Sequence, residues 1–136
     1  MTTNLSDNEK IVVKFLKMLE KQQSADELDE FYHPNVEQVE FPNAILKNKT
    51  TRNLVALKEG FEKGSKIMSK QEFEVQNIYS SGKIVILEAI WKGTISVPIG
   101  NIPIGRQMIA HFAQFFEFKD GKIYRQRNYD CFKSFN

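Results

Sequence analysis

The first third of the chain carries apolar residues at the spacing of helices. They recur every three or four positions from Ile11 to Leu19, directly after Ser6 and Glu9, which form a capping box. This pattern predicts an amphipathic helix that ends near Lys21.

Two further helices are predicted downstream. A second capping box, Ser24 with Glu27, begins a short helix that Pro34 stops, because proline forces the residue before it out of the helical region. A third helix is predicted over about residues 51–68, which place apolar side chains on one face. Between these helices, residues 36–41 form a brief extended piece.

The hydrophobic period changes to two from Lys70 onward, which predicts strands for the second half of the chain. Ser81-Gly82 and Asp120-Gly121 mark tight turns, and the second dipeptide is a strong hairpin signal. The order is three helices followed by four antiparallel strands, with residues 36–41 as a possible edge strand. The chain is therefore predicted to be a single α+β domain over residues 1–136.

One predicted strand, residues 84–91, is apolar on both faces and is interrupted only by Glu88. An antiparallel sheet with one face in water should alternate apolar and polar residues, so this strand needs a cover on each side. Three helices can cover one side. The pattern therefore predicts a homodimer in which a second copy covers the outer, convex face of the sheet.

Composition narrows the classes of function. The 136 residues include 11 Phe, enough bulky side chains to build a core and line a cavity. The formal charge is only +2 and no block of like charges gathers on one segment, so nucleic acid is not an expected partner. One cysteine, Cys131, and two scattered histidines lack the spacing of metal sites, so no metal or other cofactor is expected.

The N-terminal residues lack a basic stretch followed by an apolar run, and no 18 apolar residues occur together. No membrane contact is expected, and the expected location is the cytoplasm.

Asp130 in the last predicted strand is the main candidate for chemistry. It shares a strand face with Gln126 and Asn128, whereas Arg125 and Arg127 share the other face. Arginine side chains almost always reach water or a partner charge, so the arginine face is expected to point outward and Asp130 inward. Glu40 and Glu88 are interpreted as surface or interface charges.

The neighbour of Asp130 on the adjacent strand depends on the hairpin turn. A two-residue loop, Asp120-Gly121, would place His111 opposite Asp130, an acid and base pair. A three-residue loop from Lys119 to Gly121 would instead bring Gln114 and its neighbours onto the same face as Asp130. The three-residue loop is favoured because that face, which also carries Phe112 and Phe116, is more apolar and makes a better cavity wall.

An inward carboxyl among aromatic side chains loses hydration, which raises its pKa and lets it exchange protons near neutral pH. The alternative is a structural role, in which Asp130 makes an ordinary hydrogen bond or an ion pair with an arginine.

Several segments together resemble a known family. These are residues 31–34 (Phe-Tyr-His-Pro), 39–42 (Val-Glu-Phe-Pro) and 116–123 (Phe-Glu-Phe-Lys-Asp-Gly-Lys-Ile), followed by 127–130 (Arg-Asn-Tyr-Asp). In this order they resemble the SnoaL-like branch of the nuclear transport factor two superfamily. The resemblance implies a cone: a curved antiparallel sheet wrapped around three N-terminal helices, with an apolar pocket and a dimer through the convex sheet face.

The resemblance also implies chemistry. In polyketide cyclases of the SnoaL type an aspartate on the last strand is the acid/base group, and Asp130 stands at the matching place. Ketosteroid isomerases of the same fold use an aspartate base, a tyrosine and a protonated aspartate. Here those positions look like Phe41, Phe15 and Gln114, so that activity is contradicted by the residues.

Two main hypotheses follow. The first is a cofactor-independent enzyme of the isomerase, cyclase or dehydratase type, in which Asp130 moves a proton on a small apolar carbonyl compound. The second is a non-catalytic domain that binds a small ligand, and a dimeric protein-interaction module is a further alternative. With Asp130 as the catalytic candidate, and His111 beside it in the other register, the predicted pocket residues are Gln114, Asn128, Gln126, Tyr124, Trp91, Phe15, Phe41, Phe61, Phe112 and Phe116.

Overall fold

The computed structural model describes residues 4–134 and has the predicted α+β architecture: three helices and one curved, unclosed six-stranded sheet. Residues 1–3, part of the N-terminal segment considered above, lie outside the described residues. The helices are α1 (Asp7–Lys21), a 3₁₀ helix (Ala25–Glu30) and α2 (Leu54–Ile67). The strands are β1 (Tyr32–Glu40), β2 (Thr50–Arg52), β3 (Met68–Ser81), β4 (Ile84–Ile95), β5 (Gln107–Lys119) and β6 (Lys122–Phe132), in the order β2-β1-β6-β5-β4-β3.

Both predicted capping boxes are present. The Glu9 amide donates to Ser6 Oγ at 3.2 Å, and the Ser6 amide donates to the Glu9 carboxylate at 3.1 Å. Ser24 and Glu27 make the same reciprocal contacts at the start of the 3₁₀ helix. Because each box satisfies amides that the first helical turn leaves free, the helix starts follow from local sequence.

The region between the 3₁₀ helix and α2 differs from the prediction. The strand that was predicted over 36–41 begins at Tyr32, contains Pro34 and is not an edge strand, since β1 lies between β2 and β6. It pairs with β6 in parallel, and its register is irregular between Tyr32 and Glu37. Proline, which has no N–H to donate, is tolerated at such an irregularity.

One edge of the sheet is β2, a segment that the sequence pattern had placed in the third helix, and the other edge is β3. Asn53 explains the boundary, because its side chain accepts a hydrogen bond from the Ala56 amide at 2.9 Å and so starts α2 after the strand. Residues 50–52 are thereby left extended and pair with β1.

Strands β3 to β6 form the predicted antiparallel run. The inner face of β4 packs into the core through Val85, Leu87 and Ala89, and the buried side of α1 covers it. A bulge interrupts the pairing of β3 with β4 between Val75 and Asn77. No helix within residues 4–134 is long and apolar enough to cross a membrane.

The β5–β6 turn corrects the favoured loop length. Lys119 pairs with Lys122, so only Asp120 and Gly121 form the loop. Their φ angles are 53° and 75°, so both occupy the left-handed region, as a two-residue hairpin turn of type I′ requires. The three-residue loop was therefore wrong.

A β-bulge next to this turn nevertheless restores the favoured face. Phe118 pairs with Ile123, but the next pair is Glu117 with Arg125, so Tyr124 is the extra residue on β6. This insertion moves the register by one, which is the shift that a longer loop would have produced.

The bulge determines what faces Asp130. Phe112 lies opposite Asp130, and Gln114 lies opposite Asn128. His111 is on the other, exposed face. The pairing of Asp130 with His111 is therefore wrong, although the two-residue loop that suggested it is present.

Candidate functional site

A cavity of about 360 Å³ lies inside the curved sheet and is lined by side chains from α1, the 3₁₀ helix, α2 and all six strands. Its volume is within the range of small-molecule sites. One part of the wall is aromatic and aliphatic, and another part is polar.

The aromatic part is built around Trp91, the single tryptophan of the chain. Its ring is stacked on Phe112, with centroids 5.5 Å apart and an interplanar angle of 13°, and meets Phe132 edge-on at 6.0 Å. Trp91 Nε1 donates to Gln71 Oε1 at 3.0 Å. The ring also lies against Gly93, where an added Cβ would be 2.5 Å from it. Two ring contacts, a hydrogen bond and the close approach to Gly93 together fix the orientation of the indole.

The neutral polar part consists of a hydrogen-bonded chain on β1 and β6. The Tyr32 hydroxyl donates to Gln126 Oε1 at 2.6 Å, and Gln126 Nε2 donates to Asn128 Oδ1 at 2.9 Å. Burial raises the pKa of the Tyr32 hydroxyl, which keeps this residue a neutral donor. Gln114 lies opposite Asn128 and is buried beside this chain.

The charged part was missed by the sequence analysis. Arg52 Nη1 donates to Glu40 Oε1 at 2.8 Å and to Gln38 Oε1 at 3.2 Å, and Asn43 Nδ2 donates to Glu40 Oε2 at 3.0 Å. Arg52, Glu40 and Gln38 line the cavity. Glu40 was interpreted as a surface or interface charge, but it lines the cavity because β1 is an interior strand whose side chains alternate into the cavity.

Asp130 lies in the cavity wall beside these groups. Burial raises the pKa of its carboxyl from the ordinary value of 3.8 to about 7, and the negative charge of Glu40 contributes to the shift. Its Oδ1 is buried and has no hydrogen-bond partner among residues 4–134. The ion pair with an arginine that the structural alternative offered is absent among residues 4–134, where Arg125 donates to backbone carbonyls and Arg127 to Glu117.

Most of the predicted pocket residues lie in the cavity wall. Besides Asp130 these are Gln114, Asn128, Gln126, Trp91, Phe15, Phe61 and Phe112.

The structure places four candidates elsewhere. Tyr124 is the bulge residue and packs outside the cavity. Its ring centroid lies 5.0 Å from that of His33 and 3.9 Å from the guanidinium carbon of Arg125. His111 is exposed on the outer face, as described above. Neither is a cavity residue, because the bulge and the register turn both side chains away.

Phe41 and Phe116 are the other two predicted pocket residues that lie outside the cavity wall. Phe41 follows the end of β1, and its ring stacks on that of Tyr129 with the ring centroids 4.6 Å apart. Phe116 is completely buried, and its ring centroid lies 6.1 Å from that of Phe15. It therefore belongs to the core beneath the cavity.

The described part of the chain contains no group of three or more histidine, cysteine, aspartate or glutamate residues placed to hold a metal ion.

Comparison with known proteins identifies the family of this chain. The model of the SnoaL-like domain matches residues 12–126, and the chain belongs to this family. The resemblance inferred from the sequence segments is thereby confirmed. No curated protein matches the sequence significantly.

Solved structures confirm the fold. IdmH from Streptomyces antibioticus, a proposed polyketide cyclase, is 16% identical and has a TM-score of 0.77, with 92% of each chain covered. A proposed polyketide cyclase from Acidithiobacillus ferrooxidans is 15% identical, with a TM-score of 0.76 over 95% of this chain and 91% of that one. AclR from Streptomyces galilaeus, a proposed hydroxylase, is 14% identical, with a TM-score of 0.73 over 93% and 80%.

Replacing Gly93 with alanine should displace the indole, because the new Cβ would be 2.5 Å from two ring atoms of Trp91. We expect a loss of about 1–3 kcal/mol in the free energy of unfolding, as for other overpacked cores, and a shift of the tryptophan emission. Urea denaturation followed by fluorescence measures both. Gly64→Ala is the control, since its Cβ would meet only Met68 at 3.7 Å. Unchanged emission in Gly93→Ala would show that the ring is not held as described.

The raised pKa of Asp130 makes stability depend on pH. Because the folded protein holds this proton up to a pH of about 7 and the unfolded chain only to about 3.8, the stabilisation is complete below pH 4 and is lost as the pH rises through 7. Asp130→Asn is neutral throughout. Its stability relative to the wild type should increase by about 1–3 kcal/mol between pH 5 and pH 8, measured by urea denaturation. A difference that does not vary with pH would contradict the shift.

Proposed function

We propose that the protein is a cofactor-independent enzyme that transfers a proton on a small, largely apolar carbonyl compound, in a cyclase-, isomerase- or dehydratase-type reaction with Asp130 as its acid/base group. The observation that carries this proposal is the position of the Asp130 carboxyl, which lies in the wall of a ligand-sized cavity with one buried, unpartnered oxygen and a pKa raised to about 7. Near neutral pH such a group both gives up and takes up protons readily.

The surrounding residues suit this chemistry. An apolar substrate would lie against the stacked rings of Trp91 and Phe112. The amide N–H groups of Gln114 and Asn128 are neutral donors for an oxygen that gains negative charge as a proton leaves carbon. Two neutral amides stabilise such an oxygen modestly, so the rate enhancement is expected to be moderate.

The structural neighbours support the reaction class. Two of them are proposed polyketide cyclases. Ring closure next to a carbonyl begins with removal of a proton from carbon, which is the step assigned here to the cavity.

The central test measures proton transfer with a probe ketone. The protein is incubated with 2-tetralone in deuterated buffer, and deuterium uptake next to the carbonyl is followed by NMR. We expect the wild type to accelerate the exchange and Asp130→Asn to lose at least about 100-fold of that acceleration, the usual contribution of one acid/base group.

The Asp120→Asn variant is the matched control, since Asp120 is an exposed residue of the β5–β6 turn outside the cavity and its replacement should leave the exchange activity unchanged. A wild type that binds 2-tetralone, detected through Trp91 fluorescence, without accelerating exchange would favour the second function, a non-catalytic ligand-binding domain. Equal exchange rates in wild type and Asp130→Asn would remove Asp130 from the reaction.

The proposal includes a homodimer through the outer face of the sheet. Ile84, Ile86 and Ile90 lie on the outer face of β4, with Tyr79 opposite Ile86 and 54% exposed. Tyr129 on β6 is also exposed, at 41%. Exposed apolar side chains grouped on one sheet face, although Glu88 interrupts them, support association with a second copy.

Light scattering coupled to size-exclusion chromatography tests the dimer. We expect twice the mass of one chain for the wild type and a shift toward the monomer for Ile86→Lys, because a charge would be buried in the interface. Ile45→Lys is the control, since Ile45 is an exposed apolar residue outside the sheet. A wild type that elutes as a monomer would overturn this part of the proposal.

A further inference from the structure

We infer that Glu40 is a second catalytic residue, the base that removes a proton from carbon while Asp130 gives its proton to the carbonyl oxygen, and that Arg52 positions Glu40 for this role. This inference rests on the proposed proton-transfer function and divides its two proton movements between two carboxyl groups.

The sheet places both groups on one side of the cavity. Glu40 on β1 lies directly beside Asn128 on β6, and Asp130 follows two residues later on the same strand face. With neighbouring strands about 4.8 Å apart and two residues spanning about 6.6 Å, the Cα atoms of Glu40 and Asp130 are about 8 Å apart. Both side chains line the cavity, so a substrate lying against them would contact both.

Their surroundings differ in a way that separates base from acid. Both oxygens of Glu40 accept hydrogen bonds, one from the Arg52 guanidinium and one from Asn43, and these contacts favour a negative charge. Asp130 has a buried oxygen without a partner, which favours the neutral, protonated form. Two carboxyl groups whose environments favour opposite protonation states form an acid and base pair.

Few other charged groups face this pair. Among the described residues that line the cavity, Arg52 from β2 is the positively charged one, and Tyr32 from β1 is the remaining titratable one. The lining residues from α1, the 3₁₀ helix, α2, β3, β4 and β5 are uncharged. Arg52 is ion-paired with Glu40.

The step balances without a further reactant. Glu40 takes the proton from the carbon next to the carbonyl, and the electrons of that C–H bond form a C=C bond. The carbonyl oxygen takes the proton of Asp130, which gives a neutral enol, a protonated Glu40 and an ionised Asp130. The reverse step restores the ketone and both carboxyl groups, and exchange of Glu40 with deuterated water labels the carbon.

The assignment of Glu40 as the base and Asp130 as the acid predicts the direction in which the exchange rate changes with pH. Because Asp130 acts in its protonated form, the exchange rate should fall as the pH rises through about 7. If Asp130 were itself the base, the rate would rise through the same pH.

The test uses 2-tetralone exchange with matched glutamate variants. We expect Glu40→Gln to lose at least about 100-fold of the acceleration. Glu40→Asp, which keeps a carboxylate, should retain more activity than Glu40→Gln, and added acetate should restore part of the activity of Glu40→Ala. Glu37→Gln is the control on the same strand, since Glu37 is exposed and lies outside the cavity. Thermal unfolding checks that each variant is folded.

The outcomes separate this inference from the proposed function. Loss of exchange in Glu40→Gln with recovery by acetate in Glu40→Ala supports the role of Glu40. If Glu40→Gln keeps wild-type exchange while Asp130→Asn loses it, and the rate rises through pH 7, Asp130 acts alone: the inference is overturned and the proposed function stands. If the wild type gives no exchange, both are overturned.

Discussion

The position of β6 between two partner strands is the constraint on which the site depends. β6 pairs in parallel with β1 on one side and antiparallel with β5 on the other. These two ladders, with the bulge at Tyr124, fix which residues of β6 face the cavity. They place Asn128 and Asp130 beside Glu40, Gln114 and Phe112, so the polar groups of three strands meet in one wall.

As a consequence of this placement, the two carboxyl groups are stabilised unequally. Glu40 has a cation and an amide as partners, whereas Asp130 has lost hydration by burial and lies near the negative charge of Glu40. Burying a carboxyl without a partner is costly, and the cost falls when the group holds its proton. The fold tolerates this arrangement because the aromatic wall and the core beneath it supply apolar burial.

Features encoded within a few residues could be predicted from the sequence. The capping boxes at Ser6 and Ser24 fix two helix starts, and the period-two pattern identifies the antiparallel strands. The inward direction of Asp130 followed from the arginines that alternate with it. The chain's membership in the SnoaL-like family could also be inferred, because the short segments typical of the family occur along the chain in the expected order.

Features that depend on pairing between distant segments could not be predicted. The bulge at Tyr124 exists only in relation to β5, and the hairpin sequence alone does not reveal it. Glu40 and Arg52 enter the cavity wall because β1 pairs with β6 and β2 pairs with β1, contacts between segments far apart in the chain or joined by a long loop. Phe41 and Phe116 are apolar like true cavity residues, and only packing distinguishes them.

The long edge strand β3 bears on the tendency of the protein to form fibrils. It is one of the two edges of the sheet and is 14 residues long, and an edge strand of that length can act as a template for adding strands from other molecules. Glu72 and Glu74 interrupt this template with charge, and the bulge after Val75 adds a local twist. Fibril-like growth along this edge is thereby disfavoured.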